Sequence, residues 1–336
     1  MLLALRNIFI LFAFFFSYPA FSDGSTSHLT HIPQIKTSKE CFSGDFESHD
    51  SWAKERQGRI KGFDRQKFNL SYPESRFNQY KASLRCYIYT YKVDNLDIGG
   101  FLIAPKISDK PAPVIIFNRG GNGSYGHMSF AALYTHAFYL AQEGFVVIGT
   151  QYRGGMGLPD SIGGKDEFGG LDTRDVEALF SIIDKLSFAD SQRIGMMGGS
   201  RGTINMFQAA KNTRRLKALV SFSGLYDMQL DFKFRPSMED VYRKRIPQFD
   251  SNRTYAFDKR SVIKWADQLD LNAPILIMHG EYDDRTSAKG ALKFALRLQE
   301  LAHAYRLIIF EIDDHFLSLN REQANQEIID WFKKYL

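Results

Sequence analysis

From Leu84 onward, short apolar runs alternate with stretches of helical periodicity. "LRCYIYTYKV" (84–93) and "LDIGGFLIAP" (96–105) read as two antiparallel strands. From Pro111 the rhythm becomes strand, loop, helix. "APVIIFN" (112–118), "FVVIGTQY" (145–152), "RIGMMG" (193–198), "LKALVSFS" (216–223), "APILIMHG" (273–280) and "YRLIIFE" (305–311) are apolar strands. "FAALYTHAFYLAQ" (130–142), "VEALFSIIDKL" (176–186), the segment after Ser200 and "ALKFALRLQELA" (291–302) are helices between them, and "EIIDWFKKYL" closes the chain. In the second of these helices Val176, Leu179, Phe180 and Ile183 share one face. Strands this uniformly apolar are buried on both faces, and intervening helices make them parallel. The fold class is therefore α/β: a mostly parallel sheet with helices on both faces.

The rhythm fails in two places. Residues 23 to about 79 are polar, with loop-like and short helical stretches. Residues 225–271 are charged and aromatic without a clear strand, and read as a helical excursion over the sheet, either a small lid or a plain connection. The first 22 residues stand apart. Arg6 precedes an uncharged run from Ile8 to Phe16, then Pro19 and Ala20-Phe21-Ser22, the layout of a secretory signal peptide cleaved after Ser22. The run is well short of the roughly 20 residues a spanning helix needs. The expectation is an exported protein, periplasmic or secreted, with no stable membrane insertion after cleavage. The chain divides into a leader (1–22), an N-terminal extension with a leading strand (23–96) and an α/β-domain (97–336).

Composition narrows the partners. With 336 residues, 44% hydrophobic and 24% charged, the chain is an ordinary globular protein. The net charge of +5 is spread among interspersed acids and bases, without the basic, aromatic-laced block of a nucleic-acid surface. Cys41 and Cys86 are the two cysteines. In an oxidising compartment they either bridge, closing a loop of about 45 residues worth roughly 4 kcal/mol, or stay reduced and buried. Their separation, without nearby histidine pairs, does not fit zinc, and no metal or cofactor is expected.

Candidate chemistry gathers at strand ends, where open parallel sheets place it. "GGSRG" (198–202) puts Ser200 between glycines where a strand turns into a helix, the pattern of a nucleophile elbow. A serine hydroxyl needs a base and a carboxylate, and later strand ends supply both in the order Ser, Asp, His. "HGEYDD" offers Asp283 and Asp284 after the strand ending at His279, and "DDHF" offers His315 as general base.

These motifs at these separations, together with "QYRGGMG" and "DEFGGLDTRDVEAL", resemble the catalytic domain of the prolyl oligopeptidase family of α/β-hydrolases, from about Asp97 to the C terminus. The resemblance implies that Asp283, the first aspartate of the "HGxxD" loop, is the catalytic acid, and that His279 is a strand-end residue and not the base. Asp172 to Asp175 read most simply as the start of a helix, where carboxylates suit the positive dipole end. The oxyanion donors would be the N–H of Arg201 and one from the loop "RGGNGSYG", at Gly120 or Gly121. Two departures stand out. Arg119 occupies the place before the paired glycines where family peptidases commonly carry a tyrosine. The stretch before the hydrolase domain, about 75 to 90 residues, is also too short for a β-propeller of about 160.

Walls around Ser200 are then expected from "NGSYGHM" and the excursion. Tyr125, Tyr226 and Phe232 would supply apolar area, with Arg235, Arg243 and Arg245 for an acidic group. The expected activity is an exported serine hydrolase cleaving small peptide or ester substrates through an acyl-enzyme. The alternatives are a carboxylesterase of small esters and a catalytically silent binding protein.

Overall fold

A computed structural model describes residues 29–336, so the leader assigned to residues 1–22 lies outside the described residues. One nine-stranded sheet runs in the order β1-β2-β3-β5-β4-β6-β7-β8-β9. Its strands are β1 (Ile35–Glu40), β2 (Leu84–Val93), β3 (Leu96–Pro105), β4 (Ala112–Asn118), β5 (Val146–Thr150), β6 (Ala189–Gly199), β7 (Leu216–Phe222), β8 (Ile275–Gly280) and β9 (Tyr305–Phe310). β1, β2, β3 and β5 pair antiparallel. β5, β4, β6, β7, β8 and β9 pair parallel. β5 and β8 are buried at every position, as strands covered on both faces must be.

β1 corrects the reading of the extension as loops and short helices. Its sequence IKTSKE buries only Ile35, so no apolar alternation announces it. It is an edge strand that forms by borrowing the ladder of β2, and Thr37 meets the Thr90 hydroxyl across the pair at 2.6 Å. Its lysines face outward, the usual protection of an edge against further pairing.

The rest of the extension is helical. Helices His49–Arg59, Arg65–Ser71 and Glu74–Ser83 start on local signals: a Ser48/Ser51 capping box for the first and the Asp64 carboxylate for the second. They deliver Trp52, Phe68, Phe77 and Tyr80 onto one face of the sheet, against Phe130, Tyr134 and Phe138. Trp52 lies 5.0 Å from the Phe68 ring and 4.9 Å from Phe130. A Cys41–Cys86 disulfide, with Cα atoms 5.3 Å apart, fastens the segment after β1 to β2.

After β7 the excursion contains helices Met228–Phe234, Glu239–Arg245 and Arg253–Arg260. It holds an apolar cluster of its own, built from Leu225, Met228, Tyr242, Ile246, Phe249 and Phe257 around Phe168 and Ile204. Among the described residues no helix is long and apolar enough to cross a membrane.

Candidate active site

β6 ends at Gly199 and the helix Gly202–Lys211 begins three residues later, leaving Ser200 on the turn with φ +52°. Residues with side chains seldom adopt this conformation. The turn is held from both sides: Ser200 N–H donates to the Phe222 carbonyl on β7 (3.1 Å), and the Thr203 hydroxyl donates to the Ser200 carbonyl (2.7 Å). The flanking glycines have a steric cause. A Cβ on Gly198 would sit 2.7 Å from the Gly202 carbonyl oxygen, and one on Gly202 would collide with the Asn118 carbonyl of β4.

β8 and β9 are in register to their last residues, Gly280 opposite Phe310. The loops that follow are joined by Tyr282 N–H donating to the Asp313 carbonyl (2.9 Å) and Ile312 N–H to the Glu281 carboxylate (3.0 Å). This brings Asp283 Oδ2 to 2.8 Å from His315 Nδ1. Asp283 Oδ1 accepts the N–H groups of Arg285 (2.8 Å) and Thr286 (2.9 Å), and the Thr286 hydroxyl donates to Oδ2 (2.7 Å). Burial alone would raise this carboxyl's pKa, but hydrogen bonds from His279, His315 and Thr286 outweigh it and hold Asp283 ionised far below the ordinary carboxylate range. Asp284 has an 88% exposed side chain, and its ion-pair distance to Arg285 is 3.9 Å. Of the two adjacent aspartates, Asp283 is the one against His315.

The loop after β4 lies against the serine. A Cβ on Gly120 would be 3.2 Å from Ser200 Cβ, while Gly121 has φ +74°. Arg119 does not project towards Ser200 in the manner of a tyrosine hydroxyl. It is buried and its guanidinium donates to the carbonyls of Gly120 (3.0 Å), Gly123 (2.7 Å), Tyr125 (3.1 Å) and Gln151 (3.1 Å), clamping the loop by its backbone. With no carboxylate in contact, burial and the nearby Arg201 push its pKa down to about 10. The Arg201 side chain is buried as well, bonded to Asp166 (2.9 Å), to Asp172 and to the Gly121 carbonyl (3.2 Å). Asp166 also accepts Gly123 N–H, so one carboxylate joins the glycine loop to the residue after Ser200.

As the sequence reading has it, Asp172 and Asp175 stand at the start of a helix, Thr173–Glu177, the first at its N-cap position and the second in its first turn, but their side chains do more than face its dipole. The helix Thr173–Glu177 has no side-chain cap from Asp172, whose oxygens receive Gly169 and Gly170 N–H, Arg201 and Asn205. Asp175 pairs with Arg153 (2.7 Å). Two arginines buried at distant points of the chain outcompete the dipole of a one-turn helix.

The expected pocket walls separate into three groups. Tyr125 is 54% exposed and its hydroxyl accepts Arg285 Nη1 (3.2 Å), placing it at the rim beside the acid loop. Tyr226 is a correction: it is buried, hydrogen-bonded to the Ser221 hydroxyl (2.6 Å) and stacked on Phe294, which makes it core. Phe232 is half-buried and packs on Phe257 and Tyr242 of the excursion. Arg235 terminates the helix Met228–Phe234, and nothing brings it to Ser200. Arg243 is engaged by Asp250, Asp240 and Glu239 on the surface, whereas Arg245 reaches Asn122 (3.2 Å) and ties the excursion to the glycine loop. Among the described residues no group of three His, Cys, Asp or Glu side chains converges as a metal would need.

Two functional neighbours were not foreseen. His279, four residues before Asp283, has Nε2 3.2 Å from the Asp283 carboxylate. Asp231, on the excursion, accepts Ser287 N–H (2.9 Å) just beyond the acid loop. The "HGxxD" spacing held a signal for the first; nothing local pointed to the second.

The chain and its sheet have counterparts among known proteins. The model of the prolyl oligopeptidase family matches residues 131–336. The chain is 27% identical over 263 residues to the uncharacterized peptidase YuxL of Bacillus subtilis, covering 72% of this chain and 38% of that one. It is 26% identical over 270 residues to the uncharacterized peptidase YtmA of the same organism, covering 77% and 97%. With dipeptidyl-peptidase 5 of Aspergillus oryzae it shares 24% identity over 262 residues, 74% of this chain and 35% of that protein. The chain thus spans little more than a third of two of these relatives and nearly all of the third. Among solved structures, the acylaminoacyl peptidase of Pyrococcus horikoshii superimposes with TM-score 0.66 at 22% identity, covering 76% of this chain and 42% of that one. A puromycin-hydrolyzing peptidase of Mycobacterium tuberculosis gives TM-score 0.61 at 20% identity, covering 74% and 39%. These superpositions place the sheet in the α/β-hydrolase fold.

Proposed function

This chain belongs to the prolyl oligopeptidase family, and from that membership we propose that it is an exported serine peptidase working through an acyl-enzyme on Ser200. The observation that carries the reading is the 2.8 Å contact of Asp283 with His315 Nδ1 beyond the ends of β8 and β9, on the same carboxyl-end side of the parallel sheet as the Ser200 turn after β6. With Nδ1 donating to Asp283, Nε2 is the nitrogen left to take the Ser200 proton as Oγ attacks the substrate carbonyl. The oxyanion is received by backbone N–H groups, that of Arg201 and one from Gly120 or Gly121. His315 then returns the proton to the leaving amine, and a water activated by the same nitrogen releases the acyl group. Asp283 keeps the imidazole in one tautomer and balances its positive charge. The leader pattern before Ser22 and the Cys41–Cys86 bridge support export, because disulfides persist in oxidising compartments.

One observation favours a second substrate class. Arg119 is consumed by loop carbonyls where family peptidases commonly present a tyrosine hydroxyl, so oxyanion stabilisation rests on backbone donors alone. That suits esters, whose carbonyl is less resonance-stabilised than an amide's and reaches the tetrahedral intermediate with less help from oxyanion donors.

A fluorophosphonate probe and matched ester and amide substrates with one acyl group test both readings. The expected result is labelling of Ser200, and turnover that falls by several orders of magnitude in Ser200→Ala with an unchanged circular dichroism spectrum. A folded wild-type protein that the probe leaves unlabelled sinks the enzyme reading; turnover of the ester alone assigns the protein to the carboxylesterases.

A further inference from the structure

Asp283 Oδ2 has two imidazoles beside it. One belongs to His315, through Nδ1 at 2.8 Å. The other belongs to His279, on β8, whose side chain is wholly buried with Nε2 3.2 Å from the same oxygen and 3.2 Å from the Thr286 carbonyl. The Thr286 carbonyl accepts from Nε2 and the Asp283 oxygen lies at the same distance, with the Thr286 hydroxyl 3.4 Å away, so Nε2 carries the proton and its positive N–H end is shared between the carbonyl and the carboxylate. That leaves Nδ1 of His279 as a bare nitrogen, and it is buried without a hydrogen-bond partner. An unpaired buried nitrogen destabilises a fold, and a leucine would fill the space without it. The arrangement makes sense if the other nitrogen does something for the site.

The remaining groups around the carboxylate make its electrostatics definite. The Thr286 hydroxyl and the N–H groups of Arg285 and Thr286 donate to it. The Asp231 carboxyl faces it from the excursion through Ser287 N–H. The Tyr226 ring stands 6.5 Å from the His279 ring, with its hydroxyl turned to Ser221. Asp284 and the Arg285 guanidinium lie outward, the latter over the Phe316 ring beside His315. Of these groups, only His279 and the Thr286 hydroxyl share Oδ2 with His315.

We propose that His279 is a positioning residue that tunes the basicity of His315 through the shared Oδ2. This rests on the reading of Ser200, Asp283 and His315 as the triad. A carboxylate oxygen that already accepts one N–H offers less negative charge to a second. The His279 donor therefore weakens the hold of Asp283 on the protonated form of His315, and the base is free at lower pH than with an undivided partner. The second imidazole also fixes the carboxylate plane, so the His315 ring does not follow a rotating acid.

The test compares His279→Leu, which removes the donor, with His279→Gln, whose side-chain amide restores an N–H. The readouts are kcat/KM against pH on the best ester substrate and the rate of fluorophosphonate labelling. In His279→Leu the acidic limb is expected to move up by roughly half to one pH unit, with the plateau falling less than about tenfold. In His279→Gln the limb stays near its wild-type position. An unmoved limb in the leucine variant, or an equal shift in both, overturns the proposal. Should the leucine variant not fold, NMR titration of His315 in His279→Met and in wild type reads the same quantity; equal titration midpoints overturn it. Failure of the triad reading looks different, because wild type itself would then escape phosphonate labelling.

Discussion

The loops after β8 and β9 and the aromatic layer laid down by the N-terminal extension are built on opposite physical terms. Around Asp283 the structure spends polar groups: backbone N–H donors, a threonine hydroxyl and two histidines converge on one carboxylate, and Ser200 sits in the left-handed region nearby. Around Trp52 there is almost nothing but rings, with Phe46, Phe68, Tyr72, Phe77, Phe130 and Tyr134 edge-on or tilted about it and a disulfide at the margin. The first region is arranged to hold a charge in place, the second to remove apolar surface from water. Activity and stability should therefore come apart under mutation.

The sharpest separation is expected at the adjacent aspartates. Asp283→Asn should lower kcat/KM by about 10³ to 10⁴, because the amide supports the wrong imidazole tautomer. Asp284→Asn, which alters an exposed group, should stay within about twofold. Steady-state kinetics with parallel thermal melts decide the matter, and the reverse order would hand the acid's role to Asp284. The converse experiment is Trp52→Ala. Loss of this buried ring should cost about 3 to 5 kcal/mol in urea unfolding, while the phosphonate labelling rate of the remaining folded protein is unchanged. A labelling rate that fell in step with stability would show that the two regions are coupled.

Asp231 probes the seam between chemistry and scaffold, with the smallest expected effect. Burial, with the like charges of Asp227 and Asp283 adding to it, pushes this carboxyl's pKa up to about 8, so the folded protein holds a proton that the unfolded chain gives up near 3.8. The stability tied to the proton is complete below about pH 4 and is lost as pH rises towards 8. Asp231→Asn, neutral throughout and still able to accept Ser287 N–H, should flatten that decline and be more stable than wild type at pH 9 by roughly 1 to 3 kcal/mol. Melting curves between pH 4 and pH 9 that run parallel for the two proteins would remove Asp231 as a buried acid.

The parts of this molecule that could be read from its residues are those in which a local pattern has one physical solution. Continuous apolar runs between helices have to form a buried parallel sheet, and a serine between glycines at a strand end has to sit on a tight turn. β1 escaped because an edge strand owes its existence to its neighbour's ladder and needs no apolar face of its own. Asp172 and Asp175 were rightly placed at a helix start, but their partners, Arg201 and Arg153, could not be read because they are 29 and 22 residues away, beyond any helical periodicity. Tyr226 drew attention as an aromatic in a charged stretch, yet it sits where the chain leaves the sheet and belongs to the main core against Phe294. The cysteines could not be resolved by spacing, since a bridge depends on how closely β2 approaches the segment after β1.

The clamp made by Arg119 has a consequence for how this protein can change over generations. It holds the glycine loop by the carbonyls of Gly120, Gly123 and Tyr125, and a carbonyl is present whichever amino acid occupies a position. The path of the loop beside Ser200 is thus insured against replacement of the exposed side chains at Ser124 and Tyr125. Constancy and variation are divided within one short segment: the backbone path is under Arg119's control, while the side chains it carries outward are open to trial. Side chains can drift at those two positions without disturbing the loop beneath.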